Sequence, residues 1–533
     1  MAYPQDTGGD ARATLAYVCG GKVGLSPSLD VCYYAGMNLT ADLQKAKEEI
    51  ERYARDFGLD FFETHFELLE YDELNEVAAF SGFPSRYPHW RHGMVYEELL
   101  KSYTYGISKI YELVINNNPC IAYLMISNDF VSQKLVMAHV YGHCDFFKNN
   151  LWFAKTDRRM MDTMANHSTR VRRYMDHYGR DKVETFIDAC LSLENLIDPN
   201  LPFTKPLVKK DVTQVEDEST HIEVTKLKSK DYMDRFINPP EALAKQRDDL
   251  EKKRGKPPKF PEEPVHDTLW FLMNYAPLRN WQRDVVSIVR DEAYYFAPQR
   301  QTKIMNEGWA SYWHSTIMTQ KAAQASEIID FADHHSATMG MRPGVINPYK
   351  LGLELYRDIE YRWDRGQHGL EWSQCDDVHQ RESWDTKARG EGRKKLFEVR
   401  RVYNDLTFID EFLTEDFCKR AKLFAYDFNS QTGQYEISSR EVKTVRDKLL
   451  RQLTNMGEPK IHVEDGNYRN RGELLLSHRH DGFDLDPNYA RETLRALFKI
   501  WNRPVNLASK HDGKDSVMGY DGRDFSENGT KGR

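Results

Sequence analysis

Apolar positions recur at helical spacing through most of the first 400 residues and give way to strand-like alternation beyond them. Ala41 to Phe57 (ADLQKAKEEIERYARDF) reads as a charged amphipathic helix closed by Gly58, and helical text runs again from Tyr96 to Ile115. Cys120 to Ser127 (CIAYLMIS) is a short apolar run, a strand or a buried turn. Asn128 to Phe147 follows as a helix, with Ser127 or Asn128 as N-cap and Asn149-Asn150 as its exit. Asp157 to Leu196 gives two helices parted near Gly179. Pro277 to Phe296 and Thr302 to Ala325 read as long helices split by Pro298, with another after Pro348. After Arg400 the stretches Leu423 to Phe428, Gln434 to Ile437, Lys460 to Val463 and Gly472 to Ser477 look like strands. Helical patterns at Ser439 to Leu453 and Pro487 to Trp501 lie among them.

These elements predict an α+β chain: a mainly helical body over 37–400 and a smaller C-terminal α/β domain over 401–510. Such a division suits 533 residues, which exceed one ordinary core. A charged insertion at 206–264, poor in large apolar residues and carrying Pro257, Pro258, Pro261 and Pro264, interrupts the body. Residues 1–36, with Gly8-Gly9 and Gly20-Gly21, read as a flexible segment whose apolar stretch near Leu15 to Val18 is too short for a signal peptide. Residues 511–533 lack a hydrophobic pattern and are expected to be a disordered tail.

Charge narrows the partners. Lys and Arg number 74 against 82 Asp and Glu, a net −8, without the positive excess that a polyphosphate backbone favours, so no nucleic-acid partner is expected. No run approaches the roughly 18 to 20 apolar residues of a bilayer span, so a soluble protein is expected. Cys19, Cys32, Cys120, Cys144, Cys190, Cys375 and Cys418 form an odd set without C-x-x-C, read as reduced thiols in a cytoplasm.

The sharpest chemical feature is His139-Val-Tyr-Gly-His143, two imidazoles at i and i+4 that share one face of an apolar helix, near enough to ligate one metal ion. With 18 His in the chain, chance alone supplies such a pair often, and two hydrogen-bonded core histidines are the competing structural reading. Gly142 between them is consistent with close approach of another backbone or of a ligand. Downstream, Glu307, Ser311 and His314 form a polar stripe at i, i+4 and i+7 on an otherwise apolar helix. A buried carboxylate needs a cation or donors. Zinc, or another divalent metal, held by His139, His143 and Glu307 with water in the fourth position meets that need; an ion pair from Glu307 to an arginine such as Arg279 or Arg290 is the alternative.

Asn306-Glu-Gly-Trp-Ala310 also resembles the N-E-G-aromatic-A segment that supplies the third zinc ligand of gluzincin aminopeptidases, which implies a zincin-like body. The sequence departs from those enzymes where H-E-x-x-H places its general base, since Val140 stands there. Glu63, Glu67 and Glu292 are the candidate replacements. Longer blocks, KLVMAHVYGHCDFFKNNLWF from Lys134, TKIMNEGWASYWH from Thr302, NPYKLGLELYRDIE from Asn347 and NYRNRGELLL from Asn467, resemble the SpoVR family (stage V sporulation protein R and relatives) over about residues 40 to 510. That resemblance implies a cytoplasmic protein linked to spore cortex assembly or to stress, with protein partners encoded near a serine kinase.

Other features rank lower. The adjacent His334 and His335 point to different helix faces and read as surface groups, as do His478 and His480 on one strand face. His167, Arg170, Tyr174 and His177 form a helical stripe read as a solvated face or an anion contact. The Gly-Arg stretch from Arg389 to Lys395 carries no phosphate-binding fingerprint. The reading with most support is a metal-dependent amide hydrolase acting on a peptide or peptidoglycan-derived substrate, with His314 as oxyanion stabiliser and Glu292 as a candidate base. Its competitor is a non-catalytic assembly or regulatory protein that keeps a metal or a polar core for architecture.

Overall fold

The computed structural model describes residues 37–104, 112–204, 260–341 and 344–529, with scattered positions between 233 and 245. The chain divides into two compact units, Met1–Glu184 with Asp291–Glu458, and Thr185–Arg290 with Pro459–Arg533. Helices of eight residues or more, in chain order, are α1 Ala41–Asp56, α2 Tyr71–Ala79, α3 Trp90–Thr104, α4 Phe130–Asn149, α5 Met160–Tyr178, α6 Arg180–Leu191, α7 Thr268–Tyr275 and α8 Asn280–Gln301. They continue with α9 Lys303–Ile317, α10 Ile328–Thr338, α11 Pro348–Asp364, α12 Glu391–Val402, α13 Asp405–Phe412, α14 Val442–Leu453 and α15 Pro487–Trp501. No helix among the described residues is long and apolar enough to cross a membrane.

The first unit is built around α4. Strands β1 (Thr64–Leu69), β2 (Glu112–Ile115) and β3 (Cys120–Met125) form a three-stranded sheet with β3 in the middle, parallel to β1 and antiparallel to β2. The apolar run at 120 is thus a strand, and Ile115, expected in a helix, ends another. Asp129, one residue beyond the expected caps, opens α4 by accepting from the backbone N–H of Ser132 at 2.8 Å. Its apolar residues, Met137, Val140, Tyr141 and Phe146 among them, lie in one core with Ile50, Leu68, Ala122, Trp309, Trp313, Leu355, Tyr356 and Phe408.

Glycine sets how closely the helices pack. A Cβ on Gly142 of α4 would lie 2.7 Å from Cα of Ala310 on α9, and one on Gly308 of α9 would lie 2.4 Å from Cα of Gly352 on α11. Both distances are shorter than side chains tolerate, so α9 is held between α4 and α11 almost backbone to backbone. Two further ties fix α9. Asp405, a hundred residues on, accepts from the N–H groups of Ile304 and Met305 at 2.8 Å each, capping the first turn. Fully buried Asp145 of α4 accepts from the indole N–H of Trp309 at 2.8 Å and from the backbone N–H of Asp60 at 2.8 Å. Burial pushes the Asp145 carboxyl up to about 6, against the pull of Arg400 and these donors.

Pro298 does not separate α8 from α9. Helix α8 runs through it to Gln301, and the break falls at Thr302, whose backbone leaves helical geometry just before the Asp405 cap. The C-terminal boundary also moves. A hairpin of β4 (Ala425–Asn429) and β5 (Gln434–Ser439), with α13 and α14, belongs to the first unit, so the smaller domain begins near 459 rather than 401.

In the second unit a five-stranded sheet runs β10-β9-β8-β7-β6, where β6 is Ile461–Tyr468, β7 Glu473–His478, β8 Val505–His511, β9 Lys514–Tyr520 and β10 Phe525–Gly529. Only β7 and β8 are parallel, as their crossover through α15 requires. The expected disordered tail is therefore two strands. Asp512 and Gly513, both at positive φ (50° and 73°), turn β8 back into β9, and the polar outer strands are held by backbone pairing rather than by an apolar pattern. The insertion at 206–264 and the segment 1–36 lie almost wholly outside the described residues.

The glycine contacts generate a prediction. Gly142→Ala and Gly308→Ala each gain about 1 kcal/mol of helix propensity, and forcing a methyl against backbone costs about 1–3 kcal/mol before the helices shift. Both variants should be net destabilised in urea unfolding, Gly308→Ala more so. A stability gain in either contradicts the packing described.

Candidate metal centre

Because α4 and α9 meet so closely at Gly142 and Ala310, residues one turn from that contact face each other. His139 and His143 project from α4 with ring centroids 4.6 Å apart, and Glu307 projects from α9 toward both. Glu307 Oε2 lies 3.4 Å from His143 Nε2 and 3.6 Å from His139 Nε2. The three ligand atoms lie within 4.8 Å of one another, and among the described residues no other group of three His, Cys, Asp or Glu side chains qualifies. The histidine side chains are 4% and 5% exposed and Glu307 18%, so the cluster is buried, with Glu307 its most exposed side chain.

These separations are long for hydrogen bonds, and Glu307 Oε2 makes none of good geometry. They suit a shared cation: ligands about 2.0–2.1 Å from a tetrahedral zinc stand roughly 3.3 Å apart. Burial alone would raise the Glu307 carboxyl, yet hydrogen bonding and charge from His139 and His143 hold it well below its usual range. The arginine alternative does not hold for Arg290, which pairs with Asp267 at 2.7 Å.

The outer nitrogens of both rings are engaged. His143 Nδ1 lies 2.9 Å from Asn306 Oδ1, so Nδ1–H donates to the amide oxygen and Nε2 keeps its lone pair toward Glu307. His139 Nδ1 lies 2.7 Å from His314 Nδ1, and His314 Nε2 lies 2.9 Å from His335 Nδ1. With the same Nδ1–H tautomer at His139, three electron-pair donors would converge on one point, an arrangement that a cation relieves. The donor set, the spacing and the fixed outer nitrogens all fit a divalent metal.

Several sequence expectations change here. His314 spends both ring nitrogens on neighbouring imidazoles, which leaves neither for an oxyanion. Glu292 is not at the cluster. Its carboxylate forms a buried ion pair with Arg86, takes the Tyr87 hydroxyl at 3.4 Å and lies 3.3 Å from His167 Nδ1, so it is committed to a guanidinium and ill suited to act as a base. Glu63 is 75% exposed beside His65, and Val140 lies fully buried in the apolar core. His334 and His335 are not idle surface groups: His334 Nε2 lies 3.1 Å from Ser132 Oγ and 3.3 Å from Asp129 Oδ2. Of the stripe on α5, His167 is buried and His177 exposed, so it is no continuous face. His478 meets Ser509, and His480 meets Asp484, each at 2.9 Å. The described cysteines, Cys120, Cys144, Cys190, Cys375 and Cys418, are free, and all but Cys375 are buried.

With this geometry established, comparison with known proteins gives a kinship. A family model described as "SpoVR like protein" matches residues 38–458, and one described as "SpoVR-like C-terminal domain" matches 459–512. The chain belongs to the SpoVR-like family. The boundary between the two matches falls where the two compact units part after Glu458. This SpoVR-like chain is 29% identical over 491 residues to the uncharacterized protein YcgB of Escherichia coli (strain K12), covering 87% of this chain and 91% of that protein. No solved structure matches it.

Burial first, and then the charges of the neighbouring His139 and His335, keep His314 neutral to well below its ordinary range. An unfolded histidine takes up its proton near pH 6.5, so the contribution is fully present above that pH and is lost as pH falls below it. By pH 5.5 this single group costs about 1.4 kcal/mol. In metal-free protein, His314→Gln should reduce the stability difference between pH 7.5 and 5.5 by about that amount in urea unfolding. An unchanged pH dependence would show that the ring is not held neutral.

Proposed function

We propose that this SpoVR-like protein is a metal-dependent hydrolase of amide bonds in a peptide or peptidoglycan-derived substrate. The observation that carries the reading is the convergence of His139, His143 and Glu307, three ligand atoms within 4.8 Å and no fourth side chain of ligand type among the described residues. Structural zinc sites are closed by four protein ligands, whereas catalytic ones keep a position for water or substrate. Zinc bound there would polarise a substrate carbonyl and lower the pKa of water. The chain's own part is to hold the ligands: α4 fixes both imidazoles on one face, Asn306 and His314 set which nitrogen of each faces inward, and the Asp405 cap and Gly308 contact place Glu307. The zincin-like character of the body rests on the same ligand set and on the likeness of Asn306 to Ala310 to gluzincins.

One observation favours a second reading, a metal kept for architecture in an assembly or regulatory protein: Val140 stands where those enzymes carry their base, and Glu292 is paired with Arg86. From the family we carry over the process, spore cortex assembly or a stress response in the cytoplasm, with protein partners encoded near a serine kinase.

Elemental analysis of purified protein tests the metal, and mass spectrometry of peptides and muropeptides incubated with it tests the hydrolysis. About one zinc per chain is expected in the wild type. His139→Ala and Glu307→Gln should lose it while keeping the helical circular dichroism, and amide cleavage should disappear with it. Full metal retention in both variants overturns the site. Metal loss without any amide cleavage by the loaded wild type overturns the hydrolase in favour of the architectural role.

A further inference from the structure

The hydrogen bonds that leave His139 run in one line. Its Nδ1 meets His314 Nδ1 at 2.7 Å, and His314 Nε2 meets His335 Nδ1 at 2.9 Å, so three rings from α4, α9 and α10 form a chain from the ligand cluster to the half-buried ring of His335. Each contact holds one proton, and the chain has two polarities. Outward, His139 Nδ1–H donates to His314, whose Nε2–H donates to His335, and His139 Nε2 keeps its lone pair for a cation. Inward, the proton of each contact sits on the other ring, His335 gives its Nε2 hydrogen to solvent while His139 Nε2 takes one up toward Glu307, and that nitrogen cannot ligate. The residue at the outer end decides, because only an acceptor there favours the outward state.

His335 is held for that task. Its ring stacks on Phe331 with centroids 5.6 Å apart and stands edge-on to His314 at 5.1 Å. The adjacent His334 ties α10 to Ser132 and to Asp129, the cap of α4. Burial and then the nearby Arg357 disfavour a charged His335, and a neutral imidazole is the form with a lone pair to offer.

We propose that His335 is a positioning residue of the metal centre: by accepting the Nε2 proton of His314 it holds His139 in the tautomer that can ligate. The proposal rests on the metal reading of His139, His143 and Glu307 and adds an outer residue to it. Outer partners of ligating histidines commonly change metal affinity by about 10- to 100-fold.

The test measures zinc affinity by chelator competition and the visible spectrum of the cobalt-substituted protein, in the full chain. His335→Leu removes the acceptor, and its zinc dissociation constant should rise about 10-fold with an altered cobalt spectrum. His335→Asn puts an amide oxygen where Nδ1 stood and should restore both. Should the Leu variant fail to fold, His335→Gln, whose amide is displaced from that position, takes its place with the same expectation. Wild-type affinity and spectrum in the Leu or Gln variant overturn this proposal and leave the metal site standing. Equal weakening in Leu and Asn also overturns it, since α10 would then matter for packing and not for accepting a proton. A wild type that binds neither zinc nor cobalt overturns the metal reading itself.

Discussion

Everything at the candidate centre depends on how near α9 can come to α4. A helix pair with ordinary side chains at its contact keeps its axes about 8–10 Å apart, and here Gly142 lets Ala310 close that gap on one side while Gly308 and Gly352 do so on the other. A carboxylate has a short reach. Only with the backbones this close does Glu307 arrive between two imidazoles rather than beside them. The three glycines each weaken a helix interior, and the apolar core around Trp309, Trp313 and Tyr356 offsets that loss.

The polar groups around this contact divide into two sorts. Asp145 and Asp405 are fully buried carboxylates whose partners are an indole, backbone N–H groups and a guanidinium, and they fix the helices relative to each other. His139, His143 and Glu307 instead turn their basic atoms toward a common point, with Asn306 and His314 behind them. A purely structural polar core would pair donors with acceptors, as Asp145 and Asp405 do. The cluster instead gathers three side chains of ligand type round one point, and that convergence is what the proposed cation rests on.

Much of this was legible in the sequence. The i, i+4 pair and the polar stripe on the downstream helix named the three side chains that converge, His139, His143 and Glu307, because a helical face is a local property of spacing. Gly142 announced the close approach before its partner was known. The partner groups were not legible. Asp405 reaches α9 across a hundred residues, and His335 meets His314 only because α10 folds back on α4; neither relation has a spacing. Asn306 stood inside the quoted motif, yet nothing in a pentapeptide says which neighbour its amide will meet. The terminal hairpin was missed for another reason. Its strands are short of large apolar residues and only partly buried, so the apolar pattern is weak, and the signal present was the Asp512-Gly513 turn.

The measurement that bears most directly on the account is anomalous diffraction at the zinc edge from crystals grown with zinc. The account predicts a peak about 2.0–2.2 Å from His139 Nε2, His143 Nε2 and a carboxylate oxygen of Glu307, with a fourth position not filled by a side chain. A cluster without an anomalous peak, its imidazoles donating directly to Glu307, would contradict it.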